Sequence, residues 1–390
     1  MSHTSTEAHG AAHGAPHFTL MQQFGPMGVA WAVFLAMTLM GHDAHSHAGL
    51  GQSFVIVVVL FTTILWGAIG VMRHAEAVAH ELGEPLGTLV LTLSAVTVEV
   101  ALILSVMLVG NSEPTLARDT MFAVVMIIVN GLLGAALLLG GFRHRQQIYN
   151  LEGARSFLVV LTPLAICAMV LPNFTTSTPG ATLSFAQAAT LGVITLFLYG
   201  VFLALQTSRH RSFFAEAAAE VTGGHRGPEP DGAGTPRASR AKVVRHALFL
   251  LLTIIPVALL AHDMAEALDR VDRALGVPVQ MTGVIIAVLI LAPEGMAALR
   301  AAWANQLQRS VNILLGSSLS TIGMTVPAVL LVGHFIGHDI VLGLDQAHMI
   351  MLVLTLVTAG LTFGTAKTDM LKGAVHLALF GIYLMLVLVP

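Results

Sequence analysis

The chain has 390 residues, of which 56% are hydrophobic and only 10% charged, with a mean hydropathy of +0.83. Such a composition belongs to polytopic membrane proteins and excludes an ordinary soluble domain; no nucleic-acid partner is expected, and the formal net charge of -3 matters less than where the charges lie. The single cysteine, Cys167, sits in an apolar run, which excludes a disulfide framework and a cysteine-based metal site.

Residues 1–25 are polar and rich in Gly, Ala and His (His3, His9, His13, His17), and they read as a disordered tail that scavenges metal, senses pH or is dispensable. The tail lacks the basic n-region of a signal peptide, so the first apolar stretch is expected to stay in the protein. Eleven apolar spans follow, at 26–41, 52–72, 85–110, 118–141, 155–172, 184–206, 245–262, 279–299, 308–333, 347–366 and 371–389. The first span and the His-rich loop behind it occupy 26–51. In that loop His42, Asp43, His45 and His47 could bind a transition metal loosely, but a solvated loop is the preferred reading.

The third span, PLGTLVLTLSAVTVEVALILSVMLVG from Pro85 to Gly110, has one charged residue, Glu99. At about 1.5 Å of rise per residue, Glu99 stands roughly 21 Å along a segment crossing a hydrocarbon core about 30 Å thick. A charge at that depth costs at least about 3 kcal/mol, and such groups face a bundle interior, a partner or an ion path. The eighth span, PVQMTGVIIAVLILAPEGMAALR from Pro278, repeats the pattern with Glu294. Glu99 lies fourteen residues after its proline and Glu294 sixteen after its own. Ahead of each span come an Ala-Glu-Ala, at Ala75–Ala77 and Ala265–Ala267, and a Gly-x-Pro at Gly83 and Gly276. VNGLLGA from Val129 and VNILLGS from Val311 offer one register for the rest of the two copies, and Arg118 with Arg309 another.

Loops after even-numbered spans hold Arg73, Arg143, Arg145, Arg209, Arg211, Arg226, Arg237, Arg240, Lys242, Lys367 and Lys372, with Arg155, Arg245, Arg300 and Arg309 flanking the same side. The opposite side has Arg118, Arg270 and Arg273. This bias places the N-terminus and the even loops in the cytoplasm and the C-terminus outside, in a bacterial inner membrane. Residues 52–207 and 245–390 then form two sets of five spans, joined by a flexible cytoplasmic linker at 208–244, and an odd number of spans per set inverts one set relative to the other. The expected fold is an all-α polytopic membrane protein with about eleven transmembrane helices: two inverted five-helix repeats plus an extra N-terminal helix. Residues 263–275, with Met264, Leu268, Val271 and Leu275 at helical spacing, read as a separate helix lying on the membrane or bundle. Its acids, and Glu81 with Glu84, read as solvated faces before they read as cation-gathering ones.

Three stretches, RHAEAVAHELGEPLGTLVLTLSAVTVEV, LARDTMFAVVMIIVNGLLGAALLLGG and LAPEGMAALRAAWANQLQRSVNILLGSSLSTIGMTVPAVLL, resemble the ChaA-like calcium or sodium/proton antiporters of the calcium/cation antiporter superfamily. The resemblance covers the chain from about residue 52 apart from the linker. It implies two five-helix inverted repeats whose repeat-motif acids, here Glu99 and Glu294, bind cation and proton in turn. Many members of that superfamily carry Gly-Asn three residues before the acid, where this chain has Ala95-Val96 and Ile290-Leu291, so the amide oxygen is missing and the choice of ion is not carried over.

Cations such as Ca2+, Na+ or K+ want several oxygen ligands, six to eight for Ca2+, and two carboxylates supply at most four. Candidates for the rest are Ser94 and Thr97 beside Glu99, and Ser317, Ser318, Ser320, Thr321 and Thr325 in the span after Glu294, with Thr97 and Ser317 preferred. Asn130 and Asn312 either ligate or hydrogen-bond another helix. Pro293 has no amide hydrogen and frees the carbonyl of Leu289 to face an ion. Burial and mutual repulsion favour protons on the acids of an empty site, and a divalent cation holds both acids as anions and expels those protons. The expected activity is therefore exchange of Ca2+ and/or Na+, or K+, for H+ by alternating access. No resident cofactor is expected, and the partners are the lipid bilayer, cations and protons, with a homo-oligomer compatible. A cation channel with an acidic pore is the first rival. An intramembrane metalloprotease is the second and weaker one, because HELGE from His80 has Glu84 where the zinc motif needs a second histidine.

Overall fold

The computed structural model describes residues 19–40, 49–83, 86–107, 114–209, 211–214, 239–278, 280–337 and 340–389. The His-rich tail up to residue 18, the loop with His42, Asp43, His45 and His47, most of the 208–244 linker, and Glu84 with Pro85 lie outside the described residues. Among the described residues there are eleven main helices: α1 Leu20–Met40, α2 Leu50–Leu82, α3 Leu86–Met107, α4 Leu116–His144, α5 Leu151–Met169, α6 Phe185–Ala204, α7 Arg240–Leu275, α8 Gln280–Trp303, α9 Leu307–Phe335, α10 Gln346–Thr362 and α11 Met370–Leu388. Nine of them are long and apolar enough to cross a membrane, and α3 and α10 hold shorter apolar helices, Val90–Ser105 and Gln346–Thr362. Large apolar side chains such as Val159, Phe197, Phe335 and Leu361 point outward, as a chain solvated by lipid requires.

The separate helix expected at 263–275 is instead a continuation of α7, and the stretch around Glu76 likewise continues α2; the two helices run 36 and 33 residues. The same apolar face continues past the spans, with Ala75, Ala77 and Val78 buried on α2 and Met264, Ala265, Leu268 and Val271 on α7. Nothing in those stretches ends a helix before Gly83 and Gly276, which cap with positive φ. At about 1.5 Å per residue each helix is roughly 50 Å long, well beyond the hydrocarbon core. The two lie against each other along much of their length. A Cβ on Gly67 would stand 2.4 Å from Val257, so the crossing admits only glycine there.

The helices repeat in two sets, α2–α6 and α7–α11. In each set the third helix begins two residues before an arginine, Arg118 after Leu116 and Arg309 after Leu307. This supports the arginine register over the VNxLLG one. Each third helix also contains a π turn, Ile127–Leu132 in α4 and Thr321–Thr325 in α9. Packing is exchanged between the sets: α11 lies on α4, and α6 lies on α9. The α4–α11 approach is close enough that a Cβ on Gly373 would meet the Leu138 nitrogen at 2.5 Å.

The two ends of the bundle are closed by matching loop contacts. At the end rich in Arg and Lys, the strands Gln147–Ile148 and Lys367–Thr368 pair antiparallel. At the other end the loop before α10 meets the loop after α5, with Leu344 N donating to Met169 O and Gly343 N to Ala181 O. There Arg118 donates to Gly343 O at 2.8 Å and pairs with Asp119. Helix α1 stands outside both sets, fixed to α7 by Trp31 Nε1, which donates to Leu252 O at 2.9 Å.

Candidate functional site

Glu99 on α3 and Glu294 on α8 come from different sets and line the same small cavity, about 20 Å³. That volume is about enough for one water-sized particle. Ala68 and Met72 of α2 and Ser317 and Ser320 of α9 share the lining. Both helices are apolar all round, and α8 runs unbroken through Pro293, so each carboxylate is carried into the bundle on a rigid element. Glu99 is 4% exposed.

The hydroxyls around the pair come from α9. Ser317 Oγ donates to Glu294 Oε2 at 2.6 Å, while Thr321 and Thr325, the two ends of the π turn, lie beside Glu99. A π turn widens the helix by one residue per turn and re-aims side chains, a device frequent at functional sites. Thr321 itself donates to Ser317 O at 3.0 Å. Among the described residues, Glu99 Oε1, Ser318 Oγ and Thr325 Oγ1 are buried with no hydrogen-bond partner. Buried polar atoms are rarely left so; the cavity itself takes its oxygens from Glu99, Glu294, Ser317 and Ser320, groups suited to a proton or a hard cation. Among the described residues no group of three or more His, Cys, Asp or Glu is placed to hold a metal ion.

Of the remaining expected ligands, Ser94 is buried but donates to Val90 O at 2.7 Å. Thr97 faces out of the bundle, donates to Leu93 O at 2.6 Å, and is not part of the cavity lining. Asn130 belongs to a different place: its amide donates to Thr355 Oγ1 at 2.7 Å and its oxygen meets His376 Nδ1 at 3.0 Å. Asn312 donates to Phe214 O at 2.7 Å and accepts from Gln308 at 2.8 Å. Leu289 is fully buried, whereas its neighbour Ile290 and Pro293 line the cavity.

A larger cavity of about 380 Å³ adjoins the first, sharing Met72, Ala95, Pro293, Glu294, Ser317 and Ser320 with it. It extends from Glu294 toward the basic end, where Glu76, Gln206, Arg309 and Asn312 line it. Tyr199 of α6 forms part of its wall, with its hydroxyl bonded to Thr92 and its ring packed on Gly323 inside the π turn, where a Cβ would lie 3.0 Å from Tyr199 Cβ. Glu76 and Tyr199 do not stand out as site residues in the sequence. The signal for Glu76 was its place in the repeated Ala-Glu-Ala; Tyr199, in an unpatterned apolar span, gave none.

The sequence pattern of the sodium/calcium exchanger proteins matches residues 52–208 and 245–389. The chain is 40% identical over 362 residues to the putative ionic transporter y4hA of Sinorhizobium fredii, covering 92% of this chain and 94% of that one. It is 38% identical over 341 residues to the sodium-potassium/proton antiporter ChaA of Escherichia coli, covering 86% of this chain and 91% of that one. Among solved structures, native YfkE superposes with a TM-score of 0.69 at 18% identity, over 94% of this chain and 99% of that one, which is a likeness of fold.

Proposed function

The chain belongs to the sodium/calcium exchanger protein family, and from that membership we propose that it exchanges a cation of the Ca2+, Na+ and K+ group for protons across a bacterial cytoplasmic membrane. Its named relatives are ion transporters, antiporters among them, so it is a transporter and not an enzyme. The observation that carries the proposal is the meeting of Glu99 and Glu294, one from each repeat, on a single oxygen-lined cavity deep in the bundle.

Two carboxylates at that depth exist in two inexpensive forms, protonated or holding a cation between them; bare and anionic together, they are not tolerated. Ser317 serves both forms, since a hydroxyl donates to a carboxylate and turns its lone pairs to a cation. Glu99 and Glu294, with Ser317, Thr321 and Thr325 around them, are the cation and proton ligands in this reading. The two repeats rock against each other only when the pair is neutralised, and this restriction couples the fluxes. The basic end faces the cytoplasm, so the larger cavity is the cytoplasmic approach and the buried Arg118 end is the closed side.

The test is proton movement in liposomes that hold the purified protein and a trapped pH dye, with Ca2+, Na+ and K+ added separately. At least one cation is expected to drive proton flux in the wild type, and Glu99→Gln or Glu294→Gln to abolish it. Cation entry without proton exit would replace the exchanger with a channel.

A further inference from the structure

We propose that Arg309 and Glu76, both lining the cytoplasmic approach to the site, act as a balanced valence filter in which the pull of the glutamate on divalent cations is offset by the arginine. The inference rests on the exchanger reading above and adds a determinant of ion choice lying outside the carboxylate pair.

The geometry starts from α9. Arg309, Asn312, Ile313, Gly316, Ser317 and Ser320 follow each other at helical spacing of three and four, and all line the 380 Å³ cavity. One face of a single helix thus leads from a guanidinium at the mouth to the hydroxyl that bonds Glu294. On the opposite wall α2 presents Met72 and Glu76, one turn apart. Glu76 is exposed while Ala75 and Ala77 beside it are buried, so its side chain reaches the cavity from a helix packed on both flanks. Arg309 is likewise exposed, and its charge and that of Arg73 both act on the Glu76 carboxylate. Among the described residues neither Glu76 nor Arg309 has an ion pair within 4.0 Å or a side-chain hydrogen bond. They are two separate charges and not a locked bridge.

A fixed positive charge at the mouth of a cation path is unexpected unless it selects. The potential at the mouth multiplies the local concentration of an ion by a factor that is raised to the power of the ion's charge. A single charge about 8 Å from the ion in water changes that factor by roughly twofold to threefold for a monovalent cation, hence about fourfold to ninefold for a divalent one. With both residues present the two effects nearly cancel. Without Arg309 the mouth is anionic and favours divalent cations; without Glu76 it is cationic and disfavours them.

The experiment measures KM for Ca2+ and for Na+ or K+ in everted membrane vesicles, where the cytoplasmic face meets the added cation, by cation-driven proton movement. Arg309→Gln is expected to lower KM for Ca2+ by about the square of its effect on a monovalent ion, and Glu76→Gln to raise both in the same proportion. Maximal rates are expected to stay within about twofold, Arg309→Lys to match wild type, and the double variant to return near the wild-type ratio. Raising ionic strength is expected to shrink every difference. Where only one cation is transported, the opposite signs of the two variants and their loss at high salt carry the test. Equal changes for both valences, effects confined to the maximal rate, or effects that persist in high salt would overturn the filter. Absence of any cation-driven proton movement in the wild type would instead overturn the exchanger reading on which it rests.

Discussion

The π turns of α4 and α9 occupy corresponding helices of the two repeats, but the polar groups around them are treated in opposite ways. At the α4 turn, Asn130 is saturated: it donates to Thr355, its oxygen meets His376 Nδ1, and His376 Nε2 in turn meets Thr362 Oγ1 at 2.9 Å. At the α9 turn, Thr325 Oγ1 is buried without a partner beside Glu99, which has an oxygen in the same condition, and Ser318 Oγ just before the turn is likewise unpartnered. Residue type does not separate the two places, since both hold amides, hydroxyls or acids in apolar helices. What separates them is whether the protein supplies the partners. A completed network fixes helices, whereas an incomplete one costs stability and leaves capacity for something that arrives from outside.

The largest effect should come from Glu99→Gln, which preserves shape and removes one anionic ligand. Exchange is expected to fall by about a hundredfold or more, equivalent to roughly 2.7 kcal/mol, while the melting temperature in detergent holds or rises. A fall in both would erase the contrast with the α4 turn. Asn130→Ala tests the other side. It strands His376 and Thr355, so a loss of about 2–3 kcal/mol in stability is expected, read as a lower melting temperature, with the KM of the surviving protein unchanged.

Ser317→Ala removes a hydrogen bond to a carboxylate, worth about 1.5 kcal/mol or more, and an apparent cation affinity about tenfold weaker is the expected reading in the liposome assay. A matched pair sharpens the comparison further. Thr325→Val should leave the melting temperature unchanged and weaken cation binding a few-fold, whereas Thr355→Val should cost about 1 kcal/mol of stability and spare binding; identical outcomes would mean that the two turns do not differ in kind.

The smallest effect lies outside both turns, at the cap of α10, where Asp345 accepts from the backbone and ring N–H groups of His348. Burial pushes its carboxyl up, but those bonds and the His348 and Arg118 charges outweigh burial and hold it below the usual Asp range. A depressed value means stability that is present above the unfolded value of about 3.9 and is lost as pH falls through the folded one. The melting temperature of the wild type should therefore drop slightly more below about pH 4 than that of Asp345→Asn.

The acids were legible because a charge inside an apolar span has few tolerable environments, and the repeat was legible because it brought two of them to the same depth. Ser317, one turn from Ser320 on the helix after Glu294, was legible as a hydroxyl near an acid. Thr97 and Thr321 were not distinguishable in the same way. Helix α3 is apolar on every side, so no stripe marks its inner face and the sequence carries no sign that Thr97 looks outward, and on α9 the run of hydroxyls gives no sign that Thr321 is the one turned toward Glu99. Asn130 posed the same problem, since a buried amide reads alike whether it awaits an ion or already holds His376. Arg309 and Glu76 were hidden for another reason: charges near the basic end are expected there, and only the structure shows that these two line one cavity.

The exchange of packing between the repeats bears on how the chain must assemble. Helix α11 completes the wall around α4 and α6 completes the wall around α9, while each set brings just one of the two carboxylates. Neither five-helix set encloses itself, and neither owns a site. The protein is in effect an obligate heterodimer whose two subunits share one polypeptide, so a break between residues 215 and 238 should be survivable only when both fragments are made in the same membrane.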